Sequence, residues 1–302
     1  MPRRPAAALI VGVLGGLLIA GGTGWALSPA LSLSALPSER IVVAESDPAS
    51  ATATETASAP APTAPHPADD TPYDLASLPL IDVRSVNPAV PVDDDPTGVL
   101  SSSLARPLGS GAPVFAEPGG TPVGHLPRTH HYGGTTVPVV TAEEHWVKVL
   151  LPGRQGVPPQ GDGGQTVGWL RVSDVEITPT ESYVEVRLSA NTIDIVTAAG
   201  RERVSDQFAW GKPATPTPSG RTFIMWTTVV PEFRYTEGHP VVYLGIQSPV
   251  MAGFDGGDVA VTAFHYYRQR EGDTSFGCIY LDGPATDRLA QLAAGTPVII
   301  HP

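Results

Sequence analysis

One cysteine stands in this 302-residue chain, Cys278, within Ser275-Phe276-Gly277-Cys278-Ile279-Tyr280, and His265 precedes it. A thiol attacks a carbonyl only as the thiolate, and an unperturbed cysteine has a pKa of about 8.5, so few molecules are armed at neutral pH. An imidazole within hydrogen-bond reach removes that limit by accepting the proton or pairing with the anion. Gly277 carries no Cβ, so the Gly-Cys step leaves consecutive backbone N–H groups free to face a developing oxyanion. The chemistry open to this set is nucleophilic acyl transfer. The plain alternative is a buried core cysteine and a satisfied histidine.

The elements that must position these residues read as strands. Tyr183 to Leu188 alternates apolar and polar, Ile193 to Val196 leads into the turn Ala198-Ala199-Gly200, and Arg221 to Val230 and Val241 to Ile246 follow. Val259 to His265 is the next strand, whose end and turn can return Cys278 beside the imidazole. One helix is signalled, with Asp282 or Gly283 as N-cap, Pro284 in the first turn, Leu289, Leu292 and Ala293 on one face, and Gly295 as stop. Thr296 to Ile300 closes the unit as a strand. Residues 180–302 are therefore mostly β with one short helix.

Ahead of them, short apolar runs alternate with turns over 98–178: Pro113 to Ala116, Val137 to Val140, His145 to Leu150 and Thr166 to Leu170. That spacing predicts a small β-barrel or sandwich. Trp146 and Trp169 read as its core rather than as stacking platforms. His125, His130, His131 and His145 lack both a helical i,i+4 pair and a carboxylate set, which argues against a metal site. No metal and no cofactor are expected.

Residues 29–97 are rich in Ala, Thr, Ser and Pro, and within 38–97 lie 11 acidic and 2 basic residues of a chain whose net charge is −12. Such a stretch lacks the apolar side chains that offset backbone ordering and reads as an extended, mobile tether ending at Asp93-Asp94-Asp95. Its patch Leu78 to Val83 is apolar enough to pack on the next unit. At the N-terminus, Arg3 and Arg4 precede an uncharged run from Pro5 to Leu27, so 1–28 reads as a signal peptide or membrane anchor. The expected location is the outer face of a bacterial envelope, with the cytoplasmic membrane as a partner. An exported chain that keeps one unpaired thiol asks for a reason. The acidic balance argues against nucleic acid as a partner.

Two resemblances follow from these motifs. The order Ala112-Pro113-Val114-Phe115-Ala116-Glu117-Pro118-Gly119-Gly120, Trp146 to Pro152 and Val167 to Val175 resembles bacterial SH3-like domains attached to cell-wall enzymes. The segment 183–302 resembles the L,D-transpeptidase (YkuD) catalytic domain. The match lies in Gly211 to Gly220 with its Thr-Pro-x-Gly turn, in His265, in Ser275-x-Gly277-Cys278, and in the closing helix and strand. The fold it implies is mainly β, an SH3-like barrel followed by a mostly-β catalytic domain. The activity it implies is cross-linking of peptidoglycan tetrapeptide stems: a cysteine thioester forms, D-Ala leaves, and a side-chain amine of a second stem completes a 3→3 link. Carried over, Cys278 is the nucleophile, His265 the general base, Gly277 an oxyanion amide and Ser275 the support of the loop.

Departures from the family pattern are Phe276 in place of its histidine, Tyr280 in place of its Asn or Arg, and a shortened interval after His265. Phe276, Tyr280, Tyr243, Arg268 and Arg270 are the candidate substrate contacts. The two arginines would offer positive charge to a stem carboxylate, set against the alternative that they are ordinary surface residues. Transfer to water, making an L,D-carboxypeptidase, and a silent wall-binding protein stay open beside the transpeptidase reading.

Overall fold

The structure, a computed structural model, describes residues 65–302. The expected signal or anchor at 1–28 and the first part of the expected tether lie outside the described residues. Among the described residues no helix is long and apolar enough to cross a membrane.

The first sheet is built from β1 (Ser103–Pro107), β2 (Gly111–Phe115), β3 (Pro122–Pro127), β4 (Val137–Ala142), β5 (Trp146–Leu151), β6 (Thr166–Arg171) and β7 (Val175–Pro179). Its spatial order is β3-β2-β6-β5-β4-β1-β7. Trp146 is fully buried and meets the Phe115 ring edge-on, with centroids 5.1 Å apart. Its indole N–H donates to the Pro67 carbonyl, which gives the buried polar tip its partner.

The tether reading fails over 65–97. Ile81, Val83 and Val90 are buried in the core of the first sheet, and Trp146 and Arg171 hold the Pro67, Asp69 and Thr71 carbonyls. His66, which has no partner pattern in the sequence, bonds to Glu143. Asp93, expected in a solvated acidic run, is buried against Arg221 in a two-pronged ion pair at 2.7 and 2.8 Å. Composition misjudged this stretch because a few apolar residues suffice once a ready-made surface receives them, and loop carbonyls can bond to side chains.

The second sheet holds ten strands. They are β8 (Ser182–Arg187), β9 (Thr192–Thr197), β10 (Gly200–Ser205), β11 (Ala209–Gly211), β12 (Gly220–Thr228), β13 (Val241–Gln247), β14 (Val261–Tyr266), β15 (Gly272–Ser275), β16 (Ile279–Leu281) and β17 (Pro297–His301). Their order is β10-β9-β8-β17-β12-β13-β14-β16-β11-β15. Between β16 and β17 runs the one α-helix among the described residues, α1 (Gly283–Leu289), capped by the Asp282 carboxylate on the Ala285 amide. The described residues are mostly β with one α-helix.

Strand alternation divides this sheet between two cores. Val242, Leu244 and Phe264 face one core with Ala285 and Leu289 of α1, while Val241, Tyr243 and Ala263 face the core shared with the first sheet. Cys278 packs against that shared core.

Candidate active site

β14 and β16 run parallel, with His265 opposite Tyr280 and Phe264 opposite Ile279. Stepping the register back by two sets Cys278 beside Ala263. The Ala263 amide bonds to the thiol, and Sγ lies 3.9 Å from the Val261 carbonyl. Residues two apart on a strand share a face, so Ala263 and His265 point the same way. The thiol and the imidazole are thus neighbours on one face, a pairing of parallel strands rather than of strand and turn.

Gly277 has φ of +110°, a conformation that side chains with a Cβ rarely adopt, and this kink turns the chain from β15 into β16. The fully buried Ser275 hydroxyl accepts from the Gly277 amide at 3.0 Å and donates to the Cys278 carbonyl. From outside, residues 211–217 brace the same loop. The Lys212 amide and the Thr215 hydroxyl donate to the Ser275 carbonyl, and the Thr217 hydroxyl donates to the Gly277 carbonyl at 2.9 Å. These bonds fix the backbone of the cysteine without touching its sulfur.

Burial controls the protonation of the pair. It pulls the His265 pKa from 6.5 down to about 4, opposed weakly by the bond to the Tyr266 carbonyl. It pushes Cys278 from 9.0 up to about 11, opposed by the Ala263 amide. At neutral pH the resting pair is therefore thiol and neutral imidazole, not an ion pair. His265 Nδ1 lies 3.0 Å from the Tyr266 carbonyl, and a carbonyl only accepts, so Nδ1 carries the proton and Nε2 keeps its lone pair.

Aromatic rings enclose the two residues. His265 meets Tyr235, Tyr280 and Tyr267 at centroid distances of 5.4, 4.8 and 6.4 Å. Tyr243 is stacked on Trp226, 5.4 Å away. The phenols of Tyr235, Tyr243 and Tyr280 are pushed well above their usual pKa, first by burial and then by the nearby Cys278 charge. All three stay protonated and can donate.

Residues 181–300 match the YkuD family, the L,D-transpeptidase catalytic domain. That segment is a YkuD domain. No curated protein matches the chain. Similar solved structures include an L,D-transpeptidase from Mycobacterium smegmatis, 16% identical, covering 52% of this chain and 91% of that one with a TM-score of 0.31. L,D-transpeptidase 3 from Mycobacterium tuberculosis is 13% identical, with 52% and 92% coverage and a TM-score of 0.30. The catalytic domain of the Enterococcus faecium L,D-transpeptidase is 21% identical, with 40% and 96% coverage and a TM-score of 0.28.

Within the YkuD domain the residues singled out in the sequence fall into three groups. Cys278, His265, Tyr280 and Tyr243 gather at one place, and Ser275 bonds the loop beneath them. Gly277 requires a correction: its amide is occupied by the Ser275 hydroxyl, so it does not face an oxyanion. The kink that needs a glycine also turns that N–H inward. Phe276 stands 41% exposed at the rim, with the Lys212 ammonium 3.9 Å from its ring centroid and Phe254 against its edge. Arg268 is paired with Glu237, and Arg270 donates to the carbonyls of Tyr267 and Arg268.

Sequence reasoning missed Tyr235 and Tyr267, whose only signal was a local excess of tyrosine. It also missed Thr217, whose hydroxyl links the Gly211 amide to the cysteine loop. The histidines of the first sheet have separate partners: His125 on the Leu78 carbonyl, His130 with Asp82, and His145 with Glu144. Among the described residues no group of three or more His, Cys, Asp or Glu is arranged to hold a metal ion.

Proposed function

We propose that this protein is an exported L,D-transpeptidase that joins peptidoglycan stem peptides through a thioester on Cys278. The observation carrying this reading is the free Nε2 of His265 on the same strand face as the thiol, with Nδ1 locked on the Tyr266 carbonyl.

The thiol proton passes to Nε2 as Sγ attacks the carbonyl between the third stem residue and D-Ala. Sulfur rotates away from the Val261 carbonyl to do so, since catalytic hydrogen bonds are often long before substrate arrives. Because both partners are neutral at rest, proton transfer and attack proceed together. Negative charge develops on the carbonyl oxygen. The Tyr280 hydroxyl, which takes the Phe276 amide as its own donor, is suited to stabilise it together with the Cys278 amide. Collapse expels D-Ala, whose nitrogen takes the proton from His265, and leaves the thioester. A side-chain amine of a second stem attacks, gives its proton to Nε2, and releases the thiol with a 3→3 link formed. Ser275, Thr215 and Thr217 keep the loop rigid while two tetrahedral intermediates form and collapse.

The signal-like segment of Arg3, Arg4 and residues 5–27 supports export and attachment to the cytoplasmic membrane. The test is incubation of the full chain with stem tetrapeptides, read by mass. Release of D-Ala with dimer formation is expected, and neither from Cys278→Ala. Free tripeptide without dimer would make the protein an L,D-carboxypeptidase instead. No D-Ala from the wild type would overturn the reading in favour of a silent wall-binding protein.

A further inference from the structure

The chain has two lysines, and they differ. Lys148 is paired with Asp94 at 3.0 Å. Lys212 has no carboxylate partner among the described residues; its ammonium rests on the face of Phe276, at the mouth of the cysteine loop. Its backbone is fixed there too, because the Lys212 amide donates to the Ser275 carbonyl and the Thr215 amide donates to the Lys212 carbonyl. A ring face holds a cation by its quadrupole without neutralising it, so the charge stays available to an incoming anion. Of the arginine candidates, Arg268 is neutralised by Glu237, and Arg270 keeps its charge but has Nη1 turned onto the carbonyls of Tyr267 and Arg268.

We propose that Lys212, held on Phe276, is the specificity residue that receives the terminal carboxylate of the donor stem. The inference rests on the transpeptidase reading and deepens it. Attack by Cys278 brings the scissile carbonyl to Sγ, and the D-Ala carboxylate lies one residue beyond that carbonyl. In this proposal the leaving group lies on the side of the loop that carries Phe276, which stands two residues before Cys278, within about 7 Å along the backbone, and bears the ammonium on its ring. Phe276, a departure from the family pattern, thereby becomes the platform that aims a cation. A stem without a terminal carboxylate would lose this contact, which makes Lys212 a sensor of the D-Ala end.

The experiment measures binding of a synthetic stem tetrapeptide, as free acid and as C-terminal amide, to the full-length Cys278→Ala protein. The acid is expected to bind about tenfold tighter than the amide, and adding Lys212→Met should abolish that preference while leaving amide binding within about twofold. Lys212→Arg should restore it, and Phe276→Leu should weaken it where Phe276→Tyr does not. Preference that survives Lys212→Met, or that disappears with Arg268→Gln or Arg270→Gln instead, overturns the proposal. Equal binding of acid and amide by the parent protein overturns it as well. Wild-type release of D-Ala is scored separately. Release without the Lys212-dependent preference sinks this inference alone, and the preference without release sinks the transpeptidase reading alone.

Discussion

Desolvation has opposite consequences in two polar pairs of this molecule, Asp93 with Arg221 and His265 with Cys278. Asp93 and Arg221 join the segment before the first sheet to β12, bonded by two prongs. Burial alone would lower the Arg221 pKa, but the hydrogen bonds and charge of Asp93 outweigh it and the net shift is upward. His265 is buried and Cys278 half-buried with no opposite charge between them, and desolvation holds both neutral at neutral pH. Charge survives in the interior when a counter-charge is matched to it geometrically, and is suppressed when only dipoles and rings surround it. The first pair fastens parts of the chain together. The second holds a proton that can move.

Removing the sulfur separates the two pairs most clearly. Cys278→Ala should lower D-Ala release by about 10³-fold or more while costing little urea stability, since the fold loses only the half-buried Sγ and its bond from the Ala263 amide. The next effect falls on the other pair. Asp93→Ala leaves Arg221 buried and unpaired, and should cost about 3–5 kcal/mol of unfolding free energy in urea melts. Replacing both partners, as in Asp93→Leu with Arg221→Met, should recover much of that loss, because an apolar pair of similar volume needs no counter-charge.

Acid titration separates the pairs further. The folded His265 pKa is depressed to about 4 from 6.5, so between those values the unfolded chain binds a proton that the folded chain refuses. Stability from this residue is full above pH 6.5, falls as pH drops toward 4, and is level below. The loss is at most about 3 kcal/mol, and His265→Asn should remove this part of the pH profile. Activity should likewise persist well below pH 6.5 and fall near pH 4. A rate profile with an acid limb near 6.5 would contradict a desolvated base. The smallest effect expected is that of Tyr280→Phe, a loss of about tenfold to a hundredfold in the acylation rate with KM little changed, read by single-turnover D-Ala release.

The sequence determined more of the family than of the framework. One cysteine after Gly277 and a strand ending at His265 pointed to acyl transfer, and the 211–220 turn with them to the YkuD domain, because a nucleophile, a base and a tight turn need particular residue types whatever surrounds them. Apolar alternation likewise located β8, β9, β12, β13, β14 and β17, each end within two residues. It did not reveal β10, rich in charge, or the three- and four-residue strands β11, β15 and β16, which are too short to carry a period. Only the tertiary structure decided that β14 and β16 are parallel neighbours, that the Gly277 amide turns inward, and that Tyr235 and Tyr267 close around His265. It alone decided that residues 65–97 pack. The reason is common to all of these: a hydrogen-bond partner, a counter-charge or a dry environment comes from residues far away in the chain. A residue's chemistry is local, but its proton affinity and its direction belong to its neighbours in space.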